Sequence, residues 1–391
     1  MSNTSIEFLH LQNAGMIFLP YLSLILHLLT VFAITNGQPL PYIPADDITL
    51  NCGSSESNKR PLGDTRLWDG DVNSKFSPIE GKINASFVSQ ATDDYQTTKE
   101  ASTVPYGTAR LSLSKFTNAI PVTPGPKFVR LHFLSAAYGN SDSSRAFFSV
   151  KAGEYTLLSN FSVDLTVGPL GRSYLVKEFC LVVTDLHLIL TFSPSSSKPD
   201  AFAFVNGIEV VSMPIFITLT AMEKSVALPL RGKAEDTGFF REWEGLKNEN
   251  HKYLKIPAGL GILPAETHDS LNFTLIPSYT TPAAVYQTAR VMGFKKEENK
   301  KYNLTWDFLV DSGFYYMVRL HFCEIVSVMN STGDRTFRIY IANQTVEVRA
   351  NVIYWTQGKF VPYFKDYIVS TKWRGDKKFN LSVALQANPN D

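Results

Sequence analysis

Three cysteines in 391 residues are too few, and too widely spaced, for a disulfide scaffold or a zinc motif. Cys52, Cys180 and Cys323 make an odd count, so at most one pair forms within the chain. Cys52–Cys180 is the natural candidate, because both lie in the first half. Lys and Arg total 37 against 36 Asp and Glu, so no global field favours nucleic acid or an acidic substrate. The first half holds no helical pattern longer than about two turns. A catalytic constellation is missing too. The seven His are isolated, and Asp46-Asp47 and Asp93-Asp94 are adjacent pairs that point to opposite faces of a strand. Ser102 and Ser173 have no base nearby in sequence. These absences leave a non-enzymatic protein without cofactor or metal as the expectation.

The first long apolar run is at the N-terminus. Residues 16–34 carry no formal charge and one His, and small residues follow at Thr35 and Gly37. Residues 1–37 are therefore expected to be a secretory signal peptide or a signal anchor. Acceptor sequons for N-glycosylation begin downstream at Asn84, Asn160, Asn272, Asn303, Asn330, Asn343 and Asn380. Their spread through the chain implies an extracellular, apoplastic or plasma-membrane-associated protein. Asn160, next to Phe161 on an expected strand, is the least suitable of the seven.

The 27 Phe and 17 Tyr favour strands over helices, and two strand-like stretches dominate the pattern. Lys127-Phe128-Val129-Arg130-Leu131-His132-Phe133 returns as Tyr316-Met317-Val318-Arg319-Leu320-His321-Phe322, 189 residues later. Val, Leu and Phe alternate with Arg and His, the period of a strand with one buried face. Tyr106, with Thr108-Ala109-Arg110, is echoed by Tyr286 with Thr288-Ala289-Arg290. Lys177-Glu178-Phe179 is echoed by Lys365-Asp366-Tyr367. Three echoes in one order predict a tandem of two related β-rich units.

Around ten short strands with polar turns in the first half describe a jelly-roll-type β-sandwich. Asn206-Gly207, between Phe202-Ala203-Phe204-Val205 and Ile208-Glu209-Val210-Val211, carries the signal of a tight hairpin. The expected organisation is all-β. A first domain spans residues 42–214, a linker 215–231, and a second domain 232–388. Trp68, Tyr95, Tyr106 and Tyr138 are candidate aromatic faces for a saccharide or peptide. Asp69, Asp71, Asp93 and Asp94 are candidate acids for a basic ligand.

These stretches, together with Leu50-Asn51-Cys52-Gly53 and Val318-Arg319-Leu320-His321-Phe322-Cys323-Glu324-Ile325, resemble a known family. It is the ectodomain of plant malectin-like receptor kinases, the Catharanthus roseus receptor-like kinase type exemplified by FERONIA, THESEUS and ANXUR. The resemblance covers roughly residues 42–388, and beside that family the second domain is shortened at its start, between Pro214 and Asp236. It implies two tandem malectin-like sandwiches, wall sensing, and binding of a small secreted Cys-rich peptide together with a membrane-anchored co-receptor. The alternative it leaves is a carbohydrate-binding module for a cell-wall oligosaccharide or pectin. The chain departs from the family's full-length pattern in lacking a Gly-rich loop, a His-Arg-Asp loop and an Asp-Phe-Gly, so no kinase activity is expected.

Overall fold

The computed structural model describes residues 41–60, 66–78, 87–90, 103–139, 141–168, 173–214, 237–241, 253–255, 262–293, 295–372 and 378–388. The expected signal at 1–37, the linker 215–231, Asn84, Asp93, Asp94 and Tyr95 lie outside the described residues. Contacts divide the chain into Met1–Tyr42 and Ile43–Asp391, and every element below belongs to the latter.

Twelve strands form the first half. They are β1 (Asp47–Asn51), β2 (Asp69–Gly70), β3 (Phe87–Gln90), β4 (Thr108–Ser112), β5 (Phe116–Pro121) and β6 (Gly125–Leu134), followed by β7 (Phe148–Ala152), β8 (Tyr155–Phe161), β9 (Tyr174–Val183), β10 (His187–Pro194), β11 (Ala203–Val205) and β12 (Gly207–Ser212). Nine form the second half. These are β13 (Leu254–Lys255), β14 (Ile262–Glu266), β15 (Thr288–Met292), β16 (Asn303–Asp311) and β17 (Tyr315–Phe322), followed by β18 (Phe337–Ile341), β19 (Gln344–Ala350), β20 (Tyr363–Ser370) and β21 (Lys378–Ala387). Among the described residues only short helical turns interrupt them, so the all-β expectation holds.

The first half stacks the sheet β2-β1-β12-β6-β9 over the sheet β5-β10-β7-β8, with β11-β4-β3 at one side. Alternation places Val129, Leu131 and Phe133 of β6 in the core, each fully buried. Phe133 meets Phe148, Phe161 and Phe204 at ring-centroid distances of 5.7, 5.5 and 5.8 Å. The opposite face of β6 is buried as well. Arg130 and His132 are 4 and 7% exposed, so what reads as a solvent face is a covered polar layer.

The second half repeats part of this plan. Its β13-β16-β21-β18-β19 sheet contains the order of β5-β10-β7-β8, while β17-β20 matches β6-β9 and β15-β14 matches β4-β3. Counterparts of β1, β2, β11 and β12 are missing among the described residues. The consequence is visible in burial. Phe322 is buried, but Val318 and Leu320 are only half-buried against the second core.

The Asn206-Gly207 hairpin is corrected by the structure. β11 pairs with β4 whereas β12 pairs with β1 and β6, so the chain passes from one sheet to another at Asn206. Asn206 is fully buried and pins this corner. Its Oδ1 accepts from Leu134 N at 2.8 Å and its Nδ2 donates to Thr108 O at 2.8 Å. Gly207 is needed for contact, since a Cβ there would lie 2.6 Å from Pro105 Cγ and 2.9 Å from Trp68 Cζ3.

Candidate functional site

The three sequence echoes meet in space. In the first half, β9 puts Glu178 and β12 puts Glu209 in register with Arg130 of β6. Arg130 donates Nε to Glu178 Oε2 at 2.8 Å, Nη1 to Glu209 Oε2 at 2.8 Å, and Nη2 to Phe239 O at 2.6 Å. Arg66 donates to the same Glu209 oxygen at 2.8 Å, and Arg241 donates to Glu178 Oε1 at 2.6 Å. His132 Nε2 lies 2.6 Å from Glu209 Oε1, and its Nδ1 lies 3.0 Å from the Tyr106 hydroxyl. One proton arrangement satisfies all of these atoms: Tyr106 donates to Nδ1 and Nε2–H donates to Glu209.

Burial pushes both carboxyls up, but the guanidinium groups overcome it. Arg130 and Arg66, with the His132 hydrogen bond, hold Glu209 well below the usual carboxylate range. Arg241 and Arg130 hold Glu178 down. The cluster is thus a set of ionised, mutually saturated groups, with every reactive atom already bound. Chemically it can hold a sheet together. It offers no base or nucleophile to a substrate.

The second half carries the same constellation in reduced form. Tyr286 OH lies 2.7 Å from His321 Nδ1, and Arg319 forks onto Asp366 with two bonds of 2.6 Å. The Arg319 guanidinium also sits 3.8 Å from the Phe364 ring centroid. Burial pushes His321 down to about 3, and the nearby Arg319 and Arg241 add to the effect. A partner in the position of Glu209 is missing among the described residues.

A second buried pair explains the Leu-Asn-Cys-Gly and Thr-Ala-Arg motifs. Asp71 accepts Arg110 Nε at 2.9 Å and Nη2 at 2.7 Å, and also the amide of Gly53 at 2.7 Å. Gly53 adopts φ +81°, and a Cβ there would lie 2.2 Å from Ala109 O, so only glycine fits.

Several expected site residues are corrected. Trp68, Tyr106 and Tyr138 are 2, 6 and 2% exposed, so their rings pack inside and present no face to a ligand. Trp68 lies edge-on to His132 at 5.4 Å, and the Tyr138 hydroxyl bonds Leu134 O at 3.0 Å. Asp71 is fully buried and bound by Arg110, not a loop acid. Asp69 is half-buried and accepts the Asn58 amide at 3.2 Å.

The Cys52–Cys180 pair is also corrected. Both thiols are free and buried. Cys52 follows β1 and Cys180 lies in β9, with β12 and β6 between them. Three strand spacings make about 14 Å, twice the roughly 7 Å limit for a disulfide. Burial pushes the Cys180 thiol up to about 12, so it is inert at neutral pH. Among the described residues no cluster of three or more His, Cys, Asp or Glu is placed to hold a metal ion.

Sequence reading missed Glu209, Arg66 and Arg241 as members of the polar layer. Glu209 carried a signal, as one acid inside an apolar strand; Arg66 and Arg241 sit in irregular segments and carried none.

Comparison with known proteins agrees with this architecture. The Malectin-like domain family matches residues 50–390. The receptor-like protein kinase FERONIA of Arabidopsis thaliana is 40% identical over 396 residues, covering 94% of this chain and 43% of FERONIA. ANXUR1 of Arabidopsis thaliana is 34% identical over 361 residues, covering 86% of this chain and 40% of ANXUR1. The chain therefore spans less than half the length of these relatives. The crystal structure of the plant receptor-like kinase FER superposes with a TM-score of 0.76 at 39% identity, covering 88% of this chain and 91% of that one. A structure of FER with the plant peptide RALF23 and LLG2 superposes at 0.75 and 38% identity, covering 89% and 91%. On the family match and on this identity to the receptor-like kinases, the chain belongs to the malectin-like family.

Proposed function

We propose that this chain is the ligand-binding extracellular region of a plant cell-surface receptor. It recognises a small secreted Cys-rich peptide together with a membrane-anchored co-receptor. The observation that carries this is the likeness to FER, which extends over 91% of the FER chain solved with RALF23 and LLG2. Two tandem sandwiches, at 42–214 and 232–388 with a linker at 215–231, follow from the repeat of sheet order and of the Tyr–His and Arg–carboxylate pairs. Residues 1–37 direct the chain into the secretory pathway. Among the described residues no helix is long and apolar enough to cross a membrane. The region shared with the receptor kinases is their malectin-like part, so the role is binding and signalling input. Burial of Trp68, Tyr106 and Tyr138 takes three of the four candidate rings away from the oligosaccharide alternative.

The test is biolayer interferometry with the glycosylated protein. A panel of small secreted Cys-rich peptides is presented with and without a co-receptor of the LLG2 class. Saturable binding that tightens with the co-receptor is expected. A folded protein that ignores the whole panel in both formats overturns the reading.

A further inference from the structure

β16 and β21 lie side by side, and their register sets Leu309 directly opposite Asn380. Both side chains point outward, because their chain neighbours Val310 and Leu381 are buried in the second core. Leu309 is 58% exposed, and Asn380 is exposed as well. Asn380 opens the sequon Asn380-Leu381-Ser382, and Ser382 follows it on the same outward face.

The surroundings of Leu309 are polar. Asp307 and Asp311 stand on either side of it along β16. Lys255 holds Asp307, while Lys378 and, at 3.0 Å, Lys177 of the first half hold Asp311. One aliphatic spot is thus framed by ion pairs. Lone exposed apolar side chains are ordinary on protein surfaces. This one has a sequon asparagine as its cross-strand neighbour, with Cβ atoms about 5 Å apart. A protein partner needs far more surface, about 800 Å² on each side of a stable interface. A pyranose ring suits the spot. One face of the ring is rich in C–H groups and fits Leu309, and its rim of hydroxyls meets the charged frame.

We infer that Asn380 carries an N-glycan whose first sugar lies over Leu309 and closes this part of the outer sheet face. The inference rests on the secretory entry proposed for residues 1–37. Transfer joins Asn380 Nδ2 to the anomeric carbon of the sugar. Nδ2 loses one proton, and the lipid pyrophosphate that carried the sugar leaves; the secretory pathway supplies that lipid-linked donor. The attached ring takes Leu309 out of water and clasps β16 and β21 from outside. Asn343 provides a contrast. It lies in the two-residue turn between β18 and β19 and has no cross-strand neighbour.

Hydroxyl-radical footprinting with mass spectrometry tests this on the intact protein secreted with high-mannose glycans. Glycopeptides should show Asn380 occupied. Leu309 should be oxidised at least about twofold faster in Asn380→Gln than in the parent, because the cover takes away half or more of its exposed area. Asn343→Gln should leave Leu309 unchanged, and Ile368, 62% exposed on β20, should respond to neither change. Trimming the folded parent with an endoglycosidase that leaves the first sugar should keep Leu309 protected. Removing the whole glycan with a peptide N-glycosidase should expose it. Both treatments start from folded protein, so misfolding of Asn380→Gln does not obscure the result. Three results overturn the proposal: Asn380 vacant while other sequons are filled, Leu309 oxidised alike with and without its sugar, or Leu309 exposed by trimming alone. A chain that gains no glycan at any of its seven sequons fails the secretory reading itself, and this proposal falls with it.

Discussion

At Arg130, burial and charge act together, and the contrast with Arg319 separates them. Glu209 serves Arg130, Arg66 and His132 at once, and its side chain is 5% exposed. Neutralising it leaves buried cations without a counter-charge, which costs about 3–5 kcal/mol. Glu209→Gln should therefore lower the unfolding free energy from urea melts by that amount, and a loss under about 1 kcal/mol would refute the ionised network. Asp366 is 27% exposed and serves one arginine, so Asp366→Asn should cost about 1 kcal/mol or less. His321 adds a pH dependence. Its folded value near 3 lies below the unfolded value of about 6.5. Below pH 6.5 the unfolded chain takes up a proton that the folded chain refuses, so acid favours unfolding. The stability involved is fully present above about 6.5 and is lost as pH falls towards 3. The groups around His321 are Arg319, Arg241 and Tyr286, and the ring is half-buried, so about 1–2 kcal/mol should go between pH 7 and 5. Thermal melts of the parent and His321→Asn should diverge in slope over that window; parallel curves would mean that the ring titrates normally.

The matched strands β6 and β17 show how the same sequence is worth different amounts in different surroundings. Leu131 is fully buried, and Leu131→Ala should cost about 2–5 kcal/mol. Leu320 is half-buried, and Leu320→Ala should cost less than half as much. Equal losses would show that β17 is covered in solution. The existence, period and inward face of both strands were legible, because alternation of Val, Leu and Phe is a local signal. The covering of the other face was not. Arg130 and His132 look like solvent residues until Glu178 and Glu209 arrive from strands 48 and 79 positions away. The Asn206 corner was misread for a related reason. Asn-Gly is a strong local hairpin signal, but here the pair lies between two flanking runs that are buried on every side, so tertiary contacts decide. The aromatics Trp68, Tyr106 and Tyr138 failed as site residues because composition gives a ring's size and not which way it faces.

Across the whole molecule the two halves are linked by charge. Lys177 of β9 reaches Asp311 of β16 at 3.0 Å, and Lys378 of β21 holds the same carboxylate. Arg241 reaches back to Glu178, and Phe239 stands edge-on between Phe128 and Tyr279. The sequons show which surfaces stay open around this framework. Asn272, Asn330, Asn343 and Asn380 are exposed, whereas Asn160 and Asn303 are half-buried. Glycopeptide mapping of protein secreted from plant cells should find glycans at the first four and little at Asn160; a chain without any glycan would refute secretory entry. The halves also differ in how much holds them. Among the described residues the first core contains 34 buried side chains and the second contains nine. Residues 127–132 of β6 lie between β12 and β9, so their amides open only when the five-stranded sheet comes apart. Among the described residues β17 is paired only by β20, and a strand paired on one side opens by local fluctuation. Native-state hydrogen exchange on the intact chain should accordingly show residues 315–322 exchanging at least about a hundredfold faster than residues 127–134. Residues 303–311 of β16, paired along their length by β21 and by β13 at Thr305 and Trp306, should fall between. If the two matched strands exchange alike, β17 is covered by something outside the described residues. The weakness assigned to the second half would then be wrong.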